Sequence, residues 1–384
     1  MVIVKIIFYL SLTVLCWVYL GYPLFLLIYS LINSKNYLTG SELPNISIFI
    51  PAYNEEAVIA DKVENCLSLD YPNDKIEFIF VLDGCSDNTG QIIADFKDER
   101  VSLVKLEKRS GKAVALTEAA KKAKGKIFIF TDANALYDEK AIIKLMPYFA
   151  DNNVGGVCGR LIYREQIDEK TIEAESVYWK YEDILKKFES KINTLVTANG
   201  AIYAIRKNLF KVVDSDLADD LVVPINIASK GKRMLYEKEA KAYENPPRKA
   251  EEELMRRIRI VNQGFKATFR QLNDIVGGGF LFAFEYLSHK FLRWLGLLFM
   301  IAIFITNILL IENHYFAVFF ALQLIFYTFA LVGFVLYLKA KKIKIFTLPF
   351  YFCLLNIAAF CGIISAIFKI DYKLWEKAES TRCK

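Results

Sequence analysis

Four short apolar runs set the frame of this chain: residues 45–50 (NISIFI), 75–82 (KIEFIFVL), 101–106 (VSLVKL) and 126–131 (KIFIFT). Runs of this length, rich in Ile, Val and Phe, read as strands. Helical spacing fills the gaps between them: from residue 51 to about 67, over 90–96 behind a Ser86 or Asp87 cap, and from Ser110-Gly111-Lys112 through 123. Strands alternating with helices in this way predict an α/β fold with a doubly wound, mainly parallel sheet. Beyond residue 134 the pattern becomes mixed. Helices are expected over 139–149 and 173–188, strands over 154–162 and around 194–204, an acidic turn at 214–220 and a basic helix over 251–264. Residues 241–249 (KAYENPPRK), with two prolines, read as linker.

Two of these strands end in acid. The run 126–131 leads into Asp132-Ala133-Asn134, and the run 75–82 into Asp83. Alternate side chains of an extended segment point the same way, so Asp132 and Asn134 can offer two hard oxygens to one cation or one sugar. Open parallel sheets bind ligands at the carboxyl ends of their strands. Asp83 alone is equally well explained as a helix cap. With Asp132 on the same edge the two carboxylates crowd each other, and a divalent metal or a ligand's donors would relieve that. An enzyme is the expectation.

The ends of the chain change the picture. Residues 2–32 are apolar apart from Lys5 and long enough to span a bilayer with some tilt. They make a poor signal peptide, being too long and lacking a small-residue cleavage site. Three more spans are expected at about 294–311, 315–338 and 346–368, after a stretch (280–291, FLFAFEYLSHKF) suited to the interface. The expected layout is a membrane segment over 1–34, a globular domain over 42–272, an interfacial segment over 276–293, three spans within 294–369 and a charged tail over 370–384. At 54% hydrophobic content the chain is too apolar for an ordinary soluble enzyme. The basic linker 339–344 (KAKKIK) argues for a cytoplasmic position, and for a multi-pass protein of the cell membrane with its domain in the cytoplasm. Counting spans then puts the tail outside, although it carries Lys373, Lys377, Arg382 and Lys384. Either it is external against its charge, or one segment re-enters.

Charge and cysteine usage narrow the partners. The net charge of +6 sits largely beside the spans, which suits membrane lipids and not nucleic acid. Seven scattered cysteines, none in a CxxC pair, read as reduced thiols or core fillers. The only histidines, His289 and His314, lie by the spans, so base chemistry in the domain falls to carboxylate, lysine, tyrosine or cysteine.

Three further constellations carry chemistry. Asp214, Asp216, Asp219 and Asp220 form an acidic turn, ordinarily a solvated loop. Apolar Leu221-Val222-Val223-Pro224 follows at once, so Asp219-Asp220 reads as the start of a buried helix, where a carboxylate could accept a proton. Arg256, Arg257 and Arg259 share a helix near Arg248 and Arg270. Contact with lipid headgroups and a grip on a diphosphate are both open for them. Gly111-Lys112 lacks the rest of a P-loop, but Lys112 at a helix start is a plausible anion contact.

In this order the pieces resemble the family 2 glycosyltransferases, of the membrane-embedded type that includes cellulose, hyaluronan and poly-N-acetylglucosamine synthases. The likeness covers about residues 45–264. The family's P-x-Y-N-E turn is similar to Pro51-Ala52-Tyr53-Asn54-Glu55, which implies that Pro51, Tyr53 and Glu55 line the nucleoside pocket. Its first aspartate falls on Asp83, its G-K-A-x-A-L helix start on Gly111–Leu116 with Lys112 near the nucleotide, and its metal-binding D-x-D on Asp132-Ala133-Asn134. The acceptor wall falls on Asn199-Gly200-Ala201. The T-E-D motif falls on Ala218-Asp219-Asp220, which makes Asp220 the catalytic base and Asp219 part of the acceptor site. The Q-x-x-R-W helix falls on Arg256–Ile260, with Arg259 on the phosphates.

The resemblance implies a GT-A fold and an inverting transfer from a nucleotide-diphosphate sugar, a UDP-sugar in the first place. The acceptor is a growing polysaccharide or a lipid-linked acceptor, and Mg²⁺ or Mn²⁺ sits at Asp132 and Asn134. Three departures stand out. Asn134 replaces the second aspartate of D-x-D, Ala218-Asp219 replaces Thr-Glu, and Arg256 and Ile260 replace the glutamine and tryptophan of Q-x-x-R-W. The last puts processive synthesis in question and favours a single transfer. The rival readings are a single-transfer glycolipid synthase and an inactive nucleotide-sugar-binding scaffold.

Overall fold

The first strand, β1 (Ile46–Ala52), is buried at all seven positions, as a central strand covered on both faces must be. In the computed structural model, which describes residues 1–164, 172–246, 250–339, 341, 343–372 and 379–382, it lies inside an eight-stranded sheet. Arg248, Lys373, Lys377 and Lys384 lie outside the described residues. On one face Ile46, Ile48 and Ile50 pack with Ile59, Val63 and Cys66 of the helix Ile59–Leu67. On the other, Phe49 meets Ala115, Leu116 and Ala119 of the helix Lys112–Lys122.

Beside β1 run β2 (Ile76–Asp83), β3 (Val101–Leu106), β4 (Ile127–Phe130), β5 (Leu136–Tyr137), β6 (Val154–Tyr163), β7 (Tyr203–Arg206) and β8 (Arg233–Glu244). Their order across the sheet is β3-β2-β1-β4-β7-β6-β8-β5. The first four are parallel, β7 runs antiparallel to both β4 and β6, and β8 runs parallel to β6. The carboxyl ends of β1, β2, β4, β6 and β8 therefore share one edge. The α/β expectation holds, with an antiparallel strand inside the sheet.

Several boundaries move. The supposed linker 241–249 begins as the end of β8, which stops at Glu244, two residues before Pro246. The strand expected at 194–204 shrinks to β7. Residues 194–198 are held instead by hydrogen bonds from Leu195 N to Met234 O and from Ala198 N to Asp220 O. Pro147 tightens the helix expected at 139–149 into Ala141–Leu145 plus a 3₁₀ turn, Met146–Ala150. The basic helix extends over Ala250–Arg270. The cysteines among the described residues are free thiols.

Among the described residues three helices are long and apolar enough to cross a membrane: Val2–Ile32, His314–Leu338 and Lys344–Ile367. The span expected at 294–311 is different. Gly296–Leu309 has 14 residues, about 21 Å of helix against a hydrocarbon core of about 30 Å, and meets Phe280–Trp294 at 60°. The tail also settles against the domain. Lys266 Nζ lies 2.9 Å from Asp371, and Arg382 reaches Glu55.

Domain and membrane helices are joined by buried polar contacts. His289 lies between Glu189 (Nδ1 to Oε1, 2.6 Å) and Glu182 (Nε2 to Oε2, 3.2 Å), two carboxylates of the helix Ile172–Ile192. Arg293 donates to Glu182 (2.6 Å) and Tyr22 of the first span to Glu189 (2.8 Å).

Candidate active site

The shared strand edge gathers carboxylates. Asp83, closing β2, accepts from the backbone N–H groups of Ser110 (2.6 Å) and Gly111 (2.8 Å). It thereby fixes the loop that starts the Lys112 helix. Gly84 has φ +67°, and a Cβ there would lie 2.5 Å from Arg109 N, so only glycine lets the two loops approach. Arg109 in turn lies over the Tyr53 ring, 3.9 Å from its centre. Pro51 ends buried in β1.

Lys112 bridges the next two acids. Its Nζ is 2.9 Å from Asp132 Oδ1 and 3.6 Å from Asp219 Oδ1. These carboxylates hold its ammonium well above the ordinary lysine range in spite of burial. Asp219 Oδ2 also accepts from the Tyr203 hydroxyl (2.7 Å), whose ring stacks on Phe130 at 4.5 Å. The turn after β4 is braced from below by Lys62, a fully buried amine that donates to Thr131 Oγ1 (2.9 Å) and to Ala135 O. Nothing in the sequence pattern pointed to Lys62. The missed signal at Glu244 was clearer, since it ends β8 as Asp83 ends β2. Burial and the Asp132 charge push its carboxyl up to about 7.

Asp220 has another environment. It follows Asp219 at the start of the helix Asp219–Ser229, which is buried from Leu221 through Ala228. Its carboxylate has no hydrogen-bond partner among the described residues and lines a cavity of about 520 Å³ together with Asn199. Burial raises its pKa to about 6, with Asp219 adding to the effect and Lys112, Lys290 and Lys186 opposing it. Pro224 cannot donate back to the Asp220 carbonyl. That carbonyl instead accepts from Ala198 N (2.7 Å) and Thr197 Oγ1 (3.4 Å), which ties the helix to the segment bearing Asn199. Asp214 and Asp216, from the same acidic run, are taken by Arg270 at 3.2 and 2.7 Å. The run thus divides into an ion-paired half and a half in the site.

Asn199 Oδ1 accepts from Ala201 N (3.1 Å), and Gly200 stands over the lysine bridge. A Cβ on Gly200 would lie 3.4 Å from Lys112 Nζ and 3.7 Å from Asp132 Oδ2. Gly200→Val should leave the fold intact, as no backbone obstructs it, yet cut nucleotide binding by about tenfold or more, roughly the 1.4 kcal/mol of one displaced contact. Equilibrium binding of UDP or GDP with Mn²⁺ reads this, and unchanged affinity would show that the space beside Asp132 is unused.

Glu55 and the basic helix depart from expectation. Glu55 is buried and accepts from Arg382 (Oε2 3.0 Å, Oε1 2.7 Å), a paired contact from the far end of the chain. On the basic helix, Arg257 lines the cavity while Arg256 donates to Tyr163 (2.8 Å) and Glu253 (2.9 Å). Arg259 is half-buried on the same helix and outside that cavity.

The donor set suits a divalent cation only in partnership. Among the described residues no group of three or more His, Cys, Asp or Glu side chains could hold one alone. Asp132 supplies one hard carboxylate and Asn134, two residues on, an amide. Mg²⁺ is commonly bound by one or two carboxylates plus substrate phosphates, and these residues fit that pattern.

A parallel sheet edge bearing these acids, with an antiparallel strand beside β4, defines a glycosyltransferase domain of the GT-A class. Residues 47–213 match the family described as glycosyl transferase family 2. The chain is 31% identical over 229 residues to the poly-beta-1,6-N-acetyl-D-glucosamine synthase of Staphylococcus epidermidis, covering 53% of this chain and 54% of that one. It is 27% identical over 334 residues to the probable glycosyltransferase YdaM of Bacillus subtilis, covering 78% and 77%. It thus spans about half the length of the synthases it matches. The structure of the mannosyltransferase PcManGT from Pyrobaculum calidifontis, in complex with GDP-Man and Mn²⁺, superimposes with a TM-score of 0.72. That match covers 95% of this chain and 100% of that one at 20% identity, a likeness of fold.

Proposed function

We propose that this chain is a membrane-bound inverting glycosyltransferase. It moves a sugar from a nucleotide-diphosphate donor, a UDP-sugar in the first place, to a hydroxyl of a growing polysaccharide or lipid-linked acceptor. The observation that carries the reading is the pairing of Asp220, a cavity carboxylate with no hydrogen-bond partner among the described residues, with the Lys112–Asp132–Asp219 cluster beside it.

In this reading the nucleoside lies among Pro51, Tyr53 and Glu55, on the loop that Asp83 braces. Lys112 and Arg259 face the phosphates. A divalent cation at Asp132 and Asn134 would neutralise the diphosphate as it leaves. Asn199, Gly200 and Asp219 shape the acceptor side. Asp220 takes the proton as the acceptor hydroxyl attacks the anomeric carbon and the bond to the diphosphate breaks. The membrane helices keep the domain at the bilayer, on the cytoplasmic face, and residues 42–272 form the catalytic unit.

The experiment is transfer of radiolabel from UDP-sugars into membranes bearing the full chain, with release of UDP as the parallel readout. An inactive scaffold would bind nucleotide and release none. The pH profile adds a second check. With the Asp220 pKa at about 6, kcat/KM should be level above that pH and fall below it, where the base is protonated. Asp219 raises that pKa, so Asp219→Asn should move the acid limb to lower pH. A limb that stays in place would detach it from Asp220.

A further inference from the structure

The cavity that holds Asp220 continues among the membrane helices. It is lined by Phe326 of His314–Leu338, by Leu348 and Leu355 of Lys344–Ile367, and by Trp294 at the bend before Gly296. Into these apolar walls project Lys186, Arg257, Lys290 and Arg293, against the carboxylates of Glu182 and Asp220. Cations exceed carboxylates in a space whose other walls are aromatic and aliphatic.

The two arginines lie close together, and one of them has a donor to spare. The Tyr178 ring has the Arg257 guanidinium at 4.3 Å and that of Arg293 at 5.2 Å, so two like charges share one ring. Arg293 Nη1 is used by Glu182, and Arg257 Nε by Glu253 (2.6 Å). Arg257 Nη2 is buried with no hydrogen-bond partner among the described residues. A buried guanidinium donor without an acceptor is costly, and with the Arg293 guanidinium on the same ring the pair suits the oxygens of a phosphate. A neutral glycan would gain nothing from that excess of charge.

We infer that the acceptor is a phosphate-bearing lipid: its phosphate lies at Arg257 and Arg293, its tail runs along Phe326 and Leu355, and a hydroxyl of its head group reaches Asp220. This rests on the glycosyltransferase reading and names its acceptor class. The step balances as before. The head-group oxygen gains the anomeric carbon, its proton passes to Asp220, and the nucleoside diphosphate leaves with the electrons of the broken bond.

The test uses the full chain in a neutral detergent and reads tryptophan emission, since Trp179 and Trp294 line the cavity. The probes are dihexanoyl-phosphatidylglycerol, uncharged dihexanoylglycerol, and glycerol phosphate, which has the anion without the tail. Phosphatidylglycerol should bind at least about tenfold more tightly than either of the others, one decade per 1.4 kcal/mol. Arg257→Gln should erase the advantage over dihexanoylglycerol, while Arg270→Gln, a surface arginine outside the cavity, should preserve it. Leu355→Phe, which narrows the apolar wall without altering charge, should weaken the lipid and spare glycerol phosphate. Equal affinity for the charged and uncharged lipids overturns the inference, as does glycerol phosphate binding as tightly as the lipid. Binding of UDP with Mn²⁺ in the same samples reports separately on the donor site, so failure of the donor reading and failure of this one are distinct.

Discussion

Asp220→Asn is expected to lower turnover by about 10²- to 10⁴-fold, the span associated with loss of a general base, while donor binding stays within about twofold. The substitution keeps the shape of the side chain and removes a cavity carboxylate that, unlike the ion-paired Glu182, has no hydrogen-bond partner among the described residues. Its backbone role survives, because the carbonyl that accepts from Ala198 and Thr197 is unchanged. Folding should therefore be preserved, and single-turnover measurement separates chemistry from binding. Near-normal turnover would remove Asp220 from the chemistry and direct attention to Glu244, a carboxyl at the same strand edge whose pKa is raised to about 7.

The second large effect should fall on binding. Asp132→Asn retains an oxygen for Lys112 but withdraws the one carboxylate of the Asp132-Ala133-Asn134 turn. Binding of UDP or GDP should lose about 10- to 100-fold in the presence of Mn²⁺, in line with the ~1.5–3 kcal/mol of a charge-assisted contact, and little without it. A variant whose affinity responds to Mn²⁺ as the parent does would sink the metal role of this turn.

What the sequence disclosed and what it concealed divide along a physical line. Asp83 and Asp132 were legible because alternation in a strand tells which side chains leave the sheet together, and strand ends in parallel sheets face ligands. Asp220 was legible from an acidic pair set before an unbroken apolar run. Glu244 obeys the same strand-end rule and escaped because the following prolines made the whole stretch resemble linker. The arginines illustrate helical phase. Arg257 and Arg259 are two residues apart, about 200° around a helix of 3.6 residues per turn, so a cavity on one side receives only one of them. Sequence spacing leaves that choice open, and packing of Val261 against Ala359 and Ile363 makes it. Lys62 and Arg382 were invisible for a different reason. Each acts on a partner far along the chain, Arg382 across more than 300 residues to Glu55.

The junction of His289 with Glu182 and Glu189 bears on how the protein can be handled. A soluble fragment ending at residue 272 would lose His289 and Arg293, and one starting after residue 34 would also lose Tyr22. Two carboxylates evolved to sit in a dry, paired setting would then face water on a helix whose neighbours had gone. Such a fragment should express poorly or aggregate, and any activity it kept would come without the wall of the cavity that those helices supply. Catalysis and anchorage are in this sense one folding unit, and biochemical work calls for detergent or nanodisc preparations of the whole chain.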